Sequence, residues 1–114
     1  MGIEMNNKDF EVLSARIKEF AQKRGWIKFH NPKNLAMAIA GEAGELAAEF
    51  QWLTHEESTA TNLTPNQAEK IRLEIADILI YLLRLSDELG VDVVESVLAK
   101  MAINEERFPL NQKG

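Results

Sequence analysis

The length, composition and charge of this chain exclude several classes of protein. Its 114 residues are 46% hydrophobic and 27% charged, which predicts one globular domain over residues 1–114. The formal net charge of −5 argues against binding a nucleic-acid polymer, and it disfavours phosphate ligands unless a cation lies between. Because there is no cysteine, disulfides, thiol nucleophiles and sulfur-bound metals are excluded.

Membrane and secretion signals are not found in the sequence. No apolar run approaches the roughly 20 residues that span a membrane. The first seven residues lack the basic-then-apolar order of a secretion signal. We therefore expect a cytoplasmic protein without a membrane partner.

Hydrophobic periodicity and capping signals predict helices throughout and no strand. The first helix is predicted to run from a cap at Asn7 to about Arg24. The second begins after Asn31, with Pro32 at its first position, and continues to about Trp52.

Two more helices follow a polar loop at residues 54–66. The third is predicted from about Pro65 to Leu89, with Thr64 as its cap, and the fourth from roughly 92 to 107. Apolar residues surround most of the third helix, as is typical of a helix inside a bundle or at a subunit interface. The sequence thus predicts an all-α, four-helix chain that packs into a dimer-based bundle.

Two pairs of carboxylates stand one helical turn apart. Glu42 and Glu45 belong to the second helix, and Glu74 and Asp77 belong to the third. Glu42 falls inside an apolar stripe, where a lone carboxylate is costly unless it is paired, protonated or metal-bound. Mg²⁺ prefers oxygen ligands and often shares its site with substrate phosphates. Phosphate chemistry is therefore the favoured interpretation.

A solvated helix face is the alternative for the second pair. Lys70 and Glu74, like Arg84 and Glu88, have the i,i+4 spacing of helical ion pairs. The E-x-x-E and E-x-x-D spacings are also individually common on helices. Spacing alone leaves both interpretations open.

Two glycines, Gly41 and Gly44, interrupt the second helix. Each costs roughly 1 kcal/mol relative to alanine inside a helix. They predict close approach by a ligand or by another helix.

Other residues have both a structural and a binding interpretation. The connection at residues 26–32 is rich in rings, which either plug the core or form a wall for a flat ligand. His30 within it has the properties of a hydrogen-bonding loop residue. Lys100, Asn104 and Arg107 form a stripe on the fourth helix that is either a phosphate site or an exposed face.

Several ordered segments together resemble the MazG-like all-α nucleotide pyrophosphohydrolases, most closely the dCTP pyrophosphatase branch. The segments are FHNPKNL at 29–35, GEAGELA at 41–47, FQW at 50–52, EIADILIY at 74–81 and KMAINEERFP at 100–109. The resemblance covers about residues 19–109, and the ordered match is more specific than either carboxylate pair alone.

This resemblance implies Mg²⁺-dependent hydrolysis of a nucleoside triphosphate to the monophosphate and pyrophosphate. It implies metal binding by Glu42, Glu45, Glu74 and Asp77. We expect a glutamate of the second helix, Glu45 or else Glu42, to be the catalytic residue that orients the attacking water or takes its proton. It also implies a homo-oligomer, a dimer of dimers with sites between subunits. The implied substrate-binding residues are Trp26 and Trp52 at the base, Tyr81, Lys100 and Asn104 at the sugar or phosphates, and in addition His30 and Arg107.

One position departs from the family pattern. Ile17 stands where the dCTP pyrophosphatase branch has a histidine that helps to hold the base. The resemblance implies dCTP or a modified pyrimidine deoxynucleoside triphosphate as the substrate. Because Ile17 removes one hydrogen bond that would select cytosine, a dUTP or phosphoribosyl-ATP hydrolase is an alternative. A non-catalytic helical module that binds a partner, and a structural divalent-ion site, are the other hypotheses.

Overall fold

The computed structural model describes residues 7–110, which form four α-helices and no strand within that range. Helix α1 spans Asn7–Lys23, α2 spans Pro32–Phe50, α3 spans Pro65–Leu89 and α4 spans Val93–Arg107. A 3-10 turn at Ile27–Phe29 lies between α1 and α2. The predicted all-α, four-helix chain is confirmed, whereas the prediction about a secretion signal falls largely on residues 1–6, outside the described range.

Side-chain caps fix where three of the helices begin. The Asn31 side chain accepts a hydrogen bond of 2.9 Å from the backbone N–H of Asn34. Thr64 and Gln67 form a reciprocal capping box, and the Asp92 side chain caps α4. Each of these bonds satisfies an N–H group that has no partner inside its helix. The starts of α2, α3 and α4 therefore agree with the sequence prediction.

Other helix boundaries differ slightly from those predicted. Helix α1 begins at Asn7 itself, and α2 ends at Phe50 rather than near Trp52. Gly25 and Gly90, after α1 and α3, have φ values of 69° and 67°. Glycine occupies this left-handed region without the steric cost of a Cβ atom, so it ends a helix readily.

Helices α2 and α3 form the most extensive helix–helix contact in the described chain. The buried apolar side chains are few, and they come from all four helices: Ala21, Leu35, Ile71, Leu83 and Val94. The accessible surface is 9206 Å², whereas a compact monomer of this mass exposes about 6,300 Å². The radius of gyration is 17.6 Å, against about 13 Å for a compact domain of this length.

Much of the apolar surface of α3 and α4 is uncovered. Among the described apolar residues of α4 only Val94 is buried, because α4 has little contact with the other described helices. The apolar side chains of α3 and α4 that are more than a third exposed include Leu73, Ile75, Leu79, Ile80, Leu82, Val97, Leu98 and Met101. No helix within residues 7–110 has the length and hydropathy that crossing a membrane requires.

The glycines of α2 are not explained by packing inside the chain. A Cβ atom added to Gly41 or Gly44 would have no contact within 4 Å among the described residues. The predicted close approach by another helix is therefore wrong for the helices of a single chain.

Candidate metal centre and adjoining cavity

Three carboxylates from two helices converge on one point. Glu42 and Glu45 lie one turn apart on α2, and Glu74 faces them from α3. One carboxylate oxygen of each lies within 4.8 Å of the others. Glu42 and Glu74 are partly buried, whereas Glu45 is exposed. Close contact between α2 and α3 thus brings together acidic groups that repel one another.

Two oxygens of these carboxylates have no hydrogen-bond partner among the described residues. Glu42 Oε2 and Glu74 Oε2 are buried and lack a partner among the described residues. The pKa of Glu74 is raised to about 7, first because its carboxyl group shares a proton with Glu42, and further by burial and by the charges of Glu45 and Glu42. Without a cation, therefore, Glu74 keeps its proton at pH values between 4.5 and about 7, where an exposed glutamate has lost it.

The donor set suits a hard divalent cation. All three side chains offer carboxylate oxygens, which Mg²⁺ and similar ions prefer. A cation would satisfy the two buried oxygens and remove the repulsion that raises the pKa of Glu74. The residues present therefore fit a bound metal.

The two predicted ion pairs on α3 have different outcomes. Arg84 and Glu88 form an ion pair of 3.1 Å. Lys70 and Glu74 form none within the described part of the chain, because Glu74 faces α2. Asp77, the fourth predicted ligand, lies outside the three-carboxylate cluster but lines the adjoining cavity together with Glu42.

A cavity of about 580 Å³ adjoins the carboxylates. It lies among α1, α2, α3 and the connection after α1. Its wall on α1 is mainly apolar, and its other side carries polar and charged groups. The lining residues are Leu13, Arg16, Ile17, Phe20, Ala21, Trp26, His30, Glu42, Asp77, Ile80, Tyr81 and Arg84.

Trp26 is held in this cavity by its neighbours. Its ring meets the Phe20 ring edge-on, with 5.7 Å between the centroids and 67° between the planes. The Arg24 guanidinium lies 3.4 Å from the centroid of the Phe20 ring. Because 45% of Trp26 remains exposed, an aromatic face is available to a flat ligand.

Sequence reasoning missed the role of Arg84, which is the largest fully buried side chain among the residues the structure describes. Its Nε–H group donates to His30 Nδ1 at 3.2 Å. Its two terminal nitrogens donate to Asp87 and Glu88, each at 3.1 Å. The i,i+4 spacing indicated the Glu88 contact, but no local signal indicates the contact with His30, 54 residues away in sequence.

The structure brings only some of the predicted residues together. Glu42, Asp77, Trp26, His30 and Tyr81 share the cavity, and Glu45 and Glu74 adjoin it. The described residues that line the cavity do not include Trp52, Lys100, Asn104 or Arg107. Trp52 is 86% exposed. Lys100 and Arg107 are exposed as well, on the helix that has little contact with the others.

Comparison with known proteins gives concordant matches. A model of the MazG-like family matches residues 37–114. The dCTP pyrophosphatase 1 of Homo sapiens is 44% identical over 91 residues, which are 80% of this chain and 54% of that protein. The Bos taurus protein of the same name is 43% identical over 93 residues, 82% of this chain and 55% of that protein. The chain therefore spans about half the length of these relatives.

The similarity extends to a solved structure. The crystal structure of a pyrophosphatase from Archaeoglobus fulgidus superposes with a TM-score of 0.82 at 38% sequence identity. The match covers 96% of this chain and 100% of that one. The four-helix arrangement is thus the one found in that pyrophosphatase.

Proposed function

The chain belongs to the MazG-like family, and from that premise we propose that it is a Mg²⁺-dependent nucleoside triphosphate pyrophosphohydrolase. Its substrate is dCTP or a modified pyrimidine deoxynucleoside triphosphate, as the names of the relatives suggest. The products are the nucleoside monophosphate and pyrophosphate.

One observation carries this proposal. Three carboxylates from α2 and α3 converge within 4.8 Å, two of their oxygens are buried without a donor, and an aromatic-lined cavity adjoins them. A solvated acidic face, which the non-catalytic alternative requires, would not bury oxygens without partners. The site instead has the acidic composition of a cation site beside the space needed for a base and sugar.

Glu42, Glu45 and Glu74 would hold the cation, with Asp77 as the fourth ligand. When bound, Mg²⁺ supplies charge compensation for the phosphates and lowers the pKa of a bound water. Because the net charge of the chain is −5, a triphosphate would otherwise be repelled from this acidic site.

The reaction is attack of water on the α-phosphorus. The bond from that phosphorus to the bridging oxygen breaks, and pyrophosphate leaves with the bridging oxygen. Glu45 orients the attacking water and takes its proton, since it is the exposed member of the cluster. Glu42 is the second catalytic candidate because its carboxylate touches both the cluster and the cavity.

The base stacks on the exposed face of Trp26, and Tyr81 contacts the sugar. The α1 wall offers apolar contacts to the base through Leu13 and Ile17. Ile17 lies in the cavity, where the dCTP pyrophosphatase pattern has a base-contacting histidine, so the base edge receives no hydrogen bond from that position.

A second copy of the chain completes the site. Lys100, Asn104 and Arg107 lie on α4, outside the lining of the cavity in one chain. The apolar residues on the same helix are half exposed, as for Val97 and Leu98. Association through α3 and α4, as a dimer or a dimer of dimers, would bury this surface and bring the α4 stripe and Trp52 to a partner's triphosphate.

We expect the protein to release pyrophosphate and monophosphate in equal amounts from a pyrimidine deoxynucleoside triphosphate, and only when a divalent cation is present. The measurement is a panel that includes dCTP, 5-methyl-dCTP, dUTP, dTTP, purine nucleotides and phosphoribosyl-ATP, each with Mg²⁺ or with EDTA. Exclusive activity on dUTP or phosphoribosyl-ATP would favour an alternative enzyme of the same fold. A protein inert on the whole panel would contradict the enzyme and support the partner-binding module, or a structural ion site if Mg²⁺ still raises the melting temperature.

A further inference from the structure

The buried Arg84 is at the centre of a hydrogen-bond chain that ends at the cavity. Its side chain is 1% exposed and contacts two carboxylates of its own helix, Asp87 and Glu88. Lys18 of α1 lies 3.6 Å from Asp87 and ties that carboxylate to a second helix. These contacts fix the guanidinium, and its Nε–H group is aimed at His30.

We propose that Arg84 is a positioning residue that fixes His30 as a hydrogen-bond donor, through Nε2–H, to an acceptor atom of the substrate base. The acceptor is a carbonyl oxygen or an unprotonated ring nitrogen, and the O2 and N3 atoms of cytosine are examples. The inference deepens the proposed function and rests on it, because the cavity must hold the base.

The tautomer follows from the chemistry of the two side chains. A guanidinium group has donors and no acceptor, so His30 Nδ1 must accept the proton of Arg84 Nε. A neutral imidazole carries one proton, which therefore lies on Nε2. The pKa of His30 is lowered, first by burial and then by the positive charge of Arg84, which keeps the ring neutral near pH 7.

The surroundings of His30 leave this donor available. Within residues 7–110, the His30 side chain makes one hydrogen bond, in which Nδ1 accepts from Arg84. The ring lines the same cavity as Trp26 and Tyr81. The α1 wall at Ile17 has no polar side-chain atom to offer, and among the lining residues of α1 the exposed Arg16 is the one that carries side-chain donors. His30 thus compensates for the polar group that Ile17 lacks.

A structural role for His30 would account for the Arg84 contact alone. In that case the histidine would serve only as an acceptor, and the state of Nε2 would be irrelevant to substrate. The two roles are separated by substitutions that keep the acceptor, keep the donor, or remove both.

The first test is nitrogen NMR of the imidazole rings in the full-length protein. The chain has only two histidines, so a His55→Gln variant assigns the signals of His30. We expect a single Nε2–H tautomer in the wild type, a downfield shift of the Nε2 proton on adding a non-hydrolysable α,β-imido dCTP, and a mixture of tautomers in Arg84→Lys. A wild-type ring that is protonated on Nδ1, or an Nε2 proton unmoved by the bound analogue, would overturn the proposal.

The second test separates KM from kcat. His30→Leu removes both hydrogen-bonding atoms, and we expect it to raise KM on the order of tenfold with a much smaller change in kcat. His30→Gln keeps an acceptor and a donor, and we expect it to recover most of the loss. Arg84→Lys keeps a cation beside Asp87 and Glu88 but loses the Nε–H group, and we expect a KM close to that of His30→Leu.

The matched control is Arg72→Lys, which changes an exposed arginine on the same helix that pairs with Glu69. Circular dichroism and melting curves establish that each variant is folded. Unchanged KM in a folded His30→Leu protein would overturn the inference while leaving the proposed hydrolysis intact. If the wild type hydrolyses nothing, calorimetry with the imido analogue decides: binding weakened about tenfold in His30→Leu supports the donor role, and the absence of binding overturns it together with the proposed function.

Discussion

Glu74→Gln should lower Mg²⁺-dependent hydrolysis by at least about 100-fold, a loss typical when an electrostatic group is removed from an active site. The substitution keeps the size of the side chain but removes one of the three carboxylates that converge between α2 and α3. The measurement is the initial rate of pyrophosphate release at saturating Mg²⁺.

The same substitution should have the opposite effect on the metal-free protein. The pKa of Glu74 is about 7 in the folded chain, above its ordinary value of 4.5. The folded state therefore holds a proton that the unfolded state loses, and the resulting stabilisation is complete below pH 4.5 and disappears as the pH rises through 7. Glutamine does not titrate, so in EDTA at pH 8 we expect Glu74→Gln to melt at a higher temperature than the wild type.

A matched control distinguishes these effects from a general loss of helix charge. Glu69→Gln removes an exposed carboxylate from the same helix, where it pairs with Arg72, and should change neither rate nor metal response appreciably. Wild-type melting should rise on adding Mg²⁺, and that of Glu74→Gln should rise much less. Full activity in Glu74→Gln, or a rise in melting temperature with Mg²⁺ equal to that of the wild type, would contradict the proposal that these carboxylates bind a catalytic cation.

Leu98→Asp should dissociate the assembly and abolish hydrolysis together. Leu98 is 47% exposed on the apolar face of α4, next to Val97 and Met101. Burying an unpaired carboxylate in an apolar interface costs several kcal/mol, which is a loss of about 100-fold or more in the association constant. Separated chains would lose the Lys100, Asn104 and Arg107 of the second copy, so activity should be lost when the assembly dissociates.

The control places the same charge on the opposite side of the helix. Ser96 is exposed and lies about 200° around α4 from Leu98. Sedimentation velocity and the rate of pyrophosphate release, measured on Leu98→Asp and Ser96→Asp, should show that only the first changes. An active Leu98→Asp protein of unchanged size would show that this face is not the interface.

The local structure was largely predictable because its signals are local. Asn31, Thr64 and Asp92 accept hydrogen bonds from N–H groups three residues onward, and such caps are readable from sequence. Gly90 marks the end of α3 because it has the left-handed backbone conformation. The end of α2 was less well defined, since no glycine or proline follows Phe50 closely.

The site was predictable only in part, because its geometry depends on contacts between distant residues. The i,i+3 spacing placed Glu42 and Glu45 on one face, and their contact with Glu74 required the packing of α2 against α3. That packing also explains why the predicted ion pair from Lys70 to Glu74 does not form in the described chain. The buried Arg84 was hidden for the same reason, since a charged residue on a helix predicts exposure unless its partners are known.

The small interior described above has a thermodynamic consequence. The five buried apolar side chains of the described residues provide little to offset a conformational entropy cost of roughly 1–2 kcal/mol per residue. If the uncovered faces of α3 and α4 are buried by a second copy, association supplies the stabilisation that one chain lacks. Folding then depends on protein concentration through mass action. Under that proposal the melting point would climb with concentration, and dilution alone would shift these chains towards the unfolded state.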